Sequence, residues 1–347
     1  MTIKSHRFAA VAVMALVASL GLAGCGSDDS STAADGGDGS GSGEATTVTF
    51  IPKALGNPYF DTSNAGGEKA VEEFGGTYAE VGPDAIAPDA QASFIDTAAQ
   101  QGINALVISA NDTKALCDSI NAARDAGTKV VTFDSDTDPS CRDLFINQAT
   151  AEGIAQVQVD MISDQIGDSG EVAILSAAAN ATNQNAWIEM MEATLAADHP
   201  DIKLVDTVYG DDDDQKSFDA TAALLADHPN LKGIISPTTV GIAAAARYLS
   251  TSDAKGKVAL TGLGTPNQMR DYVEDGTVTE FALWNPGDLG YLAAWAAKAL
   301  VDGDITGEEG DTFTAGELGD FEVGADATVL LGDPFKFNAD NIGDFNF

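Results

Sequence analysis

The sequence predicts an α/β protein built as two similar doubly wound parallel-sheet lobes. Short β-branched or apolar runs alternate along the chain with amphipathic stretches of helical period. Several runs are continuously apolar, as strands covered by helices on both faces must be. At 347 residues the chain exceeds what one hydrophobic core supports, and its candidate strands divide into two sets near Gln148.

The elements follow in chain order. Lys4 and Arg7 precede an apolar run from Phe8 to Gly24, the layout of an export signal and too short for a convincing membrane span. The run closes on Leu22-Ala23-Gly24-Cys25, which resembles the lipobox of bacterial lipoproteins, so residues 1–24 are expected to be removed and Cys25 lipidated. The next stretch, to Ala45, is almost wholly Gly, Ser, Asp, Ala and Thr, with nothing to bury; it is expected to be a disordered tether. Candidate strands then fall at Thr47 to Pro52, Thr77 to Val81, Ala105 to Ser109, Lys129 to Phe133 and Leu144 to Asn147. The second set lies at Glu171 to Leu175, Leu204 to Tyr209, Gly233 to Ser236, Val258 to Gly262 and Glu280 to Trp284. Helical stretches between them include Gly66 to Phe74, Ala115 to Ala126, Thr150 to Ile166, Asn183 to Ala196, Gln215 to Ala226, Val240 to Leu249 and Pro266 to Glu274.

Composition narrows the function. Hydrophobic residues make up 44% and charged residues 20%, which suits a folded chain. Seventeen Lys plus Arg stand against 54 Asp plus Glu, a net charge of -37 that repels phosphate backbones, so no nucleic acid partner is expected. With Cys25 taken by lipid, Cys117 and Cys141 remain as a disulfide in an oxidising compartment or as two buried thiols.

No G-x-x-x-x-G-K-[ST], H-E-x-x-H or G-x-S-x-G motif occurs, and Gly262-Leu263-Gly264 lacks the third glycine of a dinucleotide loop. His199 and His228 each close a helix, where a capping role is expected, and His6 lies in the signal. Asp134 to Asp138 opens like a calcium loop, but Pro139 and Phe145 stand where Gly and Glu are required. Asp211 to Asp214 reads as a solvated helix start. No catalytic residue, metal or cofactor is expected.

What remains is polar and aromatic residues at strand ends, where open α/β sheets bind ligands. These are Lys53 to Phe60, Asp134-Ser135-Asp136, Asn180 to Asn185, Pro237-Thr238-Thr239 and Trp284-Asn285. Carboxylates and amides exchange hydrogen bonds with vicinal hydroxyls, and Phe60 and Trp284 offer flat faces to the C–H groups of a sugar ring.

At these residues the chain resembles the type I periplasmic sugar-binding proteins of ABC importers, in the branch that includes rhamnose-binding and autoinducer-2-binding components. The markers are Asn57-Pro58-Tyr59-Phe60, Thr132-Phe133-Asp134-Ser135-Asp136, Cys141-Arg142, Phe145 to Gln148, Asn183 to Trp187, Thr265 to Arg270 and Asp340-Asn341-Ile342. The resemblance implies two lobes joined by three crossovers that close like a hinge: 46–147 with 285–325, and 148–284 with 326–347. It implies a Cys117–Cys141 bridge, and a pocket of Lys53, Asp134, Asn183, Gln184, Pro237 and Thr239 walled by Phe60 and Trp284. Asn57, Asp136 and Asn285 complete the expected ligand set. In autoinducer-2 binders an Asp stands at the position resembling Asn183 and the loop at Asn57 to Phe60 differs, whereas ribose binders commonly carry an Arg at that of Ser135. The expectation is therefore a monomeric, lipid-anchored extracytoplasmic receptor that hands rhamnose or a similar deoxyhexose to an ABC permease and its ATPase. Autoinducer-2 or another small polyol is the alternative ligand. A secreted glycoside-acting enzyme is the remote one, and no helix-turn-helix of a repressor precedes residue 46.

Overall fold

The computed structural model describes residues 45–347; the expected signal peptide, Cys25 and nearly all of the tether lie outside the described residues. Its first sheet follows from alternation. In β1 (Thr47–Ile51), β3 (Ala105–Ile108) and β4 (Lys129–Phe133), successive side chains point to opposite faces. Phe50, Val107, Val131 and Phe133 join one buried cluster, whereas Ile51, Leu106, Ile108 and Val130 join another. With β2 (Thr77–Glu80), β5 (Leu144–Asn147) and β13 (Thr328–Leu330) the order is β13-β5-β4-β3-β1-β2, every pair parallel.

Helices α1 (Pro58–Glu73) and α9 (Pro286–Asp302) cover the first of those faces; α2 (Pro88–Gln100) and α3 (Cys117–Asp125) cover the second. Helix α1 begins eight residues before the expected Gly66, because Pro58 stands in its first turn and the Asn57 side chain accepts from Tyr59 N at 3.0 Å. Its close packing on α9 needs glycine: a Cβ at Gly290 would lie 1.7 Å from the Ser63 carbonyl oxygen. Cys117 and Cys141 form a disulfide, Cα–Cα 5.3 Å, joining α3 to the turn that follows β4.

The second sheet contains β6 (Gly170–Ser176), β7 (Ile202–Tyr209), β8 (Leu231–Ser236) and β9 (Ala259–Gly262), in the parallel order β7-β6-β8-β9. Around it run α4 (Ala151–Ile166), α5 (Thr182–Asp198), α6 (Asp214–Asp227), α7 (Thr239–Thr251) and α8 (Pro266–Glu274). Strand β10 (Glu280–Leu283) meets this sheet through a parallel Leu263–Ala282 bridge, yet pairs antiparallel with β14 (Phe335–Asn338). A short hairpin, β11 (Thr312–Thr314) with β12 (Asp320–Glu322), fills the tail.

The chain passes between the sheets after β5, after β10 and after β13. The last passage differs from expectation, since residue 326 was to begin the second lobe. Strand β13 instead extends the first sheet beside β5, held by Arg142, whose Nη1 donates to the carbonyls of Asp326 and Ala327 at 2.9 and 3.2 Å.

Candidate functional site

One cavity collects side chains from the carboxyl ends of strands in both sheets. Lys53, Asn57 and Phe60 come from the segment after β1, and Asp134 follows β4. Asn183 and Gln184 open α5 after β6, while Pro237 and Thr239 follow β8 and Trp284 follows β10. The structure thus brings nine of the eleven expected ligand residues to one cavity.

Its polar side is preorganised. Lys53, only 6% exposed, donates to Asn183 Oδ1 at 3.0 Å and stands 3.5 Å from Asp134 Oδ2, linking the two sheets. Asp134 Oδ2 also accepts from the buried Ser109 hydroxyl at 2.7 Å. The backbone of Asp134 is left-handed, φ 61°, a conformation that Asp and Asn tolerate better than most residues. Asn183 Nδ2 donates to the Asp134 carbonyl at 3.4 Å. Gln184 is fixed by its own strand: its Oε1 accepts from Ser176 Oγ at 2.8 Å and Ala177 N at 2.9 Å, so its amide nitrogen is the group left to a ligand.

The apolar side is an aromatic corner. Trp284 meets Tyr59 and Trp187 edge-on at 6.1 and 6.0 Å between ring centroids, and its Nε1 donates to the Tyr59 hydroxyl at 2.9 Å. Burial, then the neighbouring Asp134 carboxylate, hold the Tyr59 hydroxyl well above the usual phenol range, so it stays protonated. Leu263 and Leu283 complete this wall.

Two expected residues do not line the cavity. Asp136 is bound by Arg142, with Nε to Oδ1 and Nη2 to Oδ2 both at 2.7 Å; Thr132 also donates to it at 2.5 Å. That carboxylate orients the arginine clamping the 326–327 crossover. Asn285 caps α9, accepting from Gly287 N at 2.9 Å.

The cavity also holds residues outside the expected ligand set: Tyr59, Trp187, Asp212, Thr238, Leu263 and Leu283. For Trp187 a signal existed, since it lies four residues after Asn183 and the two share a helix face. For Asp212 none did. The run Asp211 to Asp214 was expected to be a solvated helix start, and Asp213 does cap α6, accepting from Lys216 N at 2.8 Å. Left-handed backbone at Asp211 and Asp212, φ 55° and 49°, turns Asp212 the other way, where the Thr238 hydroxyl donates to it. Burial raises its pKa above the ordinary aspartate value, against the lowering effects of Thr238 and Lys53. A second depression, lined by Asp84 and Asp211 to Asp214, adjoins the cavity at Lys53, Asn57 and Phe60.

His199 and His228 stand at the C-terminal ends of α5 and α6, beside Asp168 at 2.6 Å and Asp206 at 3.4 Å, as befits caps. Asp138, in the calcium-like segment, caps the 139–141 turn through Ser140 N at 3.0 Å.

Two parallel sheets flanked by helices, connected three times and facing a shared cavity at their strand ends, define the type I periplasmic binding fold. A family model described as periplasmic binding protein domain matches residues 48–305, and the chain belongs to that family. Three solved structures are similar to it. A sugar ABC transporter protein from Actinomyces odontolyticus is 55% identical, covers 88% of this chain and 100% of its own, and superposes with a TM-score of 0.72. An ABC transporter solute binding protein from Clostridium phytofermentas with bound L-rhamnose is 40% identical over 86% of this chain and 98% of its own, TM-score 0.84. LsrB from Clostridium saccharobutylicum, in complex with AI-2, is 29% identical over 87% and 100%, TM-score 0.82.

Proposed function

We propose that this chain is the extracytoplasmic solute-binding component of an ABC importer, that it captures a neutral deoxyhexose, L-rhamnose foremost, and that it releases the sugar unaltered to the permease. Anchoring through a lipid on Cys25, with residues 26–45 as tether, belongs to the same reading, as does division into two lobes that close on the ligand. The observation that carries it is the split character of the cavity. Lys53, Asp134, Asn183 and Gln184 present donors and acceptors to it, while Phe60, Trp187, Leu263, Leu283 and Trp284 line it with apolar surface. A 6-deoxyhexose has the matching asymmetry, hydroxyls along one edge and a methyl group at the far end. The relative with bound L-rhamnose supports the choice.

A hydroxyl added at that methyl would meet leucine and aromatic surface with no partner. An unsatisfied buried polar group costs about 1–3 kcal/mol, so L-mannose should bind roughly 5- to 150-fold more weakly than L-rhamnose. Calorimetric titration of the folded chain with L-rhamnose, L-mannose, D-ribose and autoinducer-2 tests this. L-Rhamnose binding tightest is the expected result; equal or tighter binding of L-mannose overturns the deoxyhexose assignment. Preference for autoinducer-2, the ligand of the LsrB relative, would establish the alternative.

A further inference from the structure

The polar side of the cavity contains a carboxylate that the preceding reading does not use. Asp212 lies on a different element from Asp134, after β7, and a different sheet delivers it. Three observations single it out from the acidic run around it. Two consecutive residues, Asp211 and Asp212, adopt left-handed backbone that costs an ordinary L-residue energy, and the effect is to turn one carboxylate of four toward the cavity. Its neighbours have other partners: Asp211 pairs with Lys216 at 3.0 Å, Asp213 caps α6, and Asp214 accepts from Arg247 at 2.5 Å. Asp212 itself accepts only from Thr238 on one oxygen, and among the described residues its Oδ2 accepts no hydrogen bond from the protein. The nearest cation, Lys53, is already engaged by Asp134 and Asn183.

Among the described residues Asp212 Oδ2 has no protein donor, and it is not sealed from solvent, so a ligand hydroxyl can donate to it in place of water. We propose that Asp212 is a second sugar-reading carboxylate, accepting from a ligand hydroxyl other than those taken by Asp134, with Thr238 holding it in place. This rests on the monosaccharide reading above and extends it. The ligand must carry hydroxyl donors toward both sheets, so Asp212 meets its share of them only when the lobes have closed on it. Asp134, on the first sheet, and Asp212, on the second, would then report the two ends of one hydroxyl array.

The test is a ligand-by-variant cycle. Wild type, Asp212→Asn and Thr238→Val are titrated calorimetrically with L-rhamnose and its 2-, 3- and 4-monodeoxy analogues. Asn suits the left-handed backbone, so Asp212→Asn should fold, and a thermal melt checks it. L-Rhamnose affinity should fall at least tenfold in Asp212→Asn and less in Thr238→Val. One monodeoxy analogue, already weakened against wild type, should lose nothing further in Asp212→Asn, because the hydroxyl and its acceptor are the two halves of one bond. Affinity within twofold of wild type, or penalties that add for all three analogues, overturns the role of Asp212 while leaving the sugar receptor standing. A wild-type chain that binds no monosaccharide overturns both.

Discussion

Asp134→Asn is the perturbation whose consequence the geometry defines most closely. The residue adopts φ 61°, where Asn is as well tolerated as Asp, so the backbone should be retained; Ala would be strained there by about 1–2 kcal/mol. The Ser109 hydroxyl, 2.7 Å from Oδ2, finds an amide oxygen instead of a carboxylate, and Lys53 keeps its 3.0 Å contact to Asn183. What the variant loses is a charged acceptor for ligand hydroxyls and the partner of a buried ammonium. A hydrogen bond to a charged group contributes about 1.5–3 kcal/mol, so sugar affinity should fall by roughly 10- to 150-fold. The apo protein should also melt lower, because Lys53 loses the ion pair at 3.5 Å. Isothermal titration calorimetry at a temperature where circular dichroism shows the variant folded separates the two effects. A dissociation constant within twofold of wild type would refute the reasoning.

Three further outcomes are expected. Reducing Cys117–Cys141, a pair separated by 24 residues, should cost about 3.5 kcal/mol on the chain-entropy account and lower the melting temperature by roughly 5–6 °C; a calorimetric scan with reductant that shifts under 2 °C contradicts it. Gly290→Ala places a Cβ 1.7 Å from the Ser63 carbonyl oxygen, so α1 and α9 must separate, at about 1–3 kcal/mol in urea unfolding; an unchanged midpoint would show that they yield freely. Without ligand, Asp212→Asn should melt higher than wild type at pH 7. Asp212 faces Lys53, Asp134 and Asp211, and burial raises its pKa, so the native state disfavours the charged form. Wild type regains stability as pH falls through that raised value toward the unfolded one, and the variant's advantage should shrink from pH 7 to pH 4. An advantage that grows on acidification has the wrong sign for this account.

The sheets were legible because their central strands are buried on both faces, and runs such as Ala105 to Ile108 have no polar interruption. Helix α2 was not. Its buried positions, Gln91, Ile95 and Ala98, have helical spacing, but one is a glutamine serving the Pro52 and Ser109 carbonyls and another is too small to register as apolar. At the site, residues on strand ends could be located from strand order alone. Asp136 could not be excluded that way, because a residue six positions later takes its carboxylate. Asp212 was hidden for the opposite reason: four identical residues carry no periodicity, and only the backbone angles say which one turns inward.

The most direct measurement of the central claim is equilibrium titration of the folded chain with L-rhamnose, followed by release and chromatography of the bound sugar. Trp187 and Trp284 line the cavity, so their fluorescence reports occupancy. Saturation at one sugar per chain and recovery of unmodified L-rhamnose are the expected results. A chain that shows no response to any neutral monosaccharide, or that returns a chemically altered one, contradicts it.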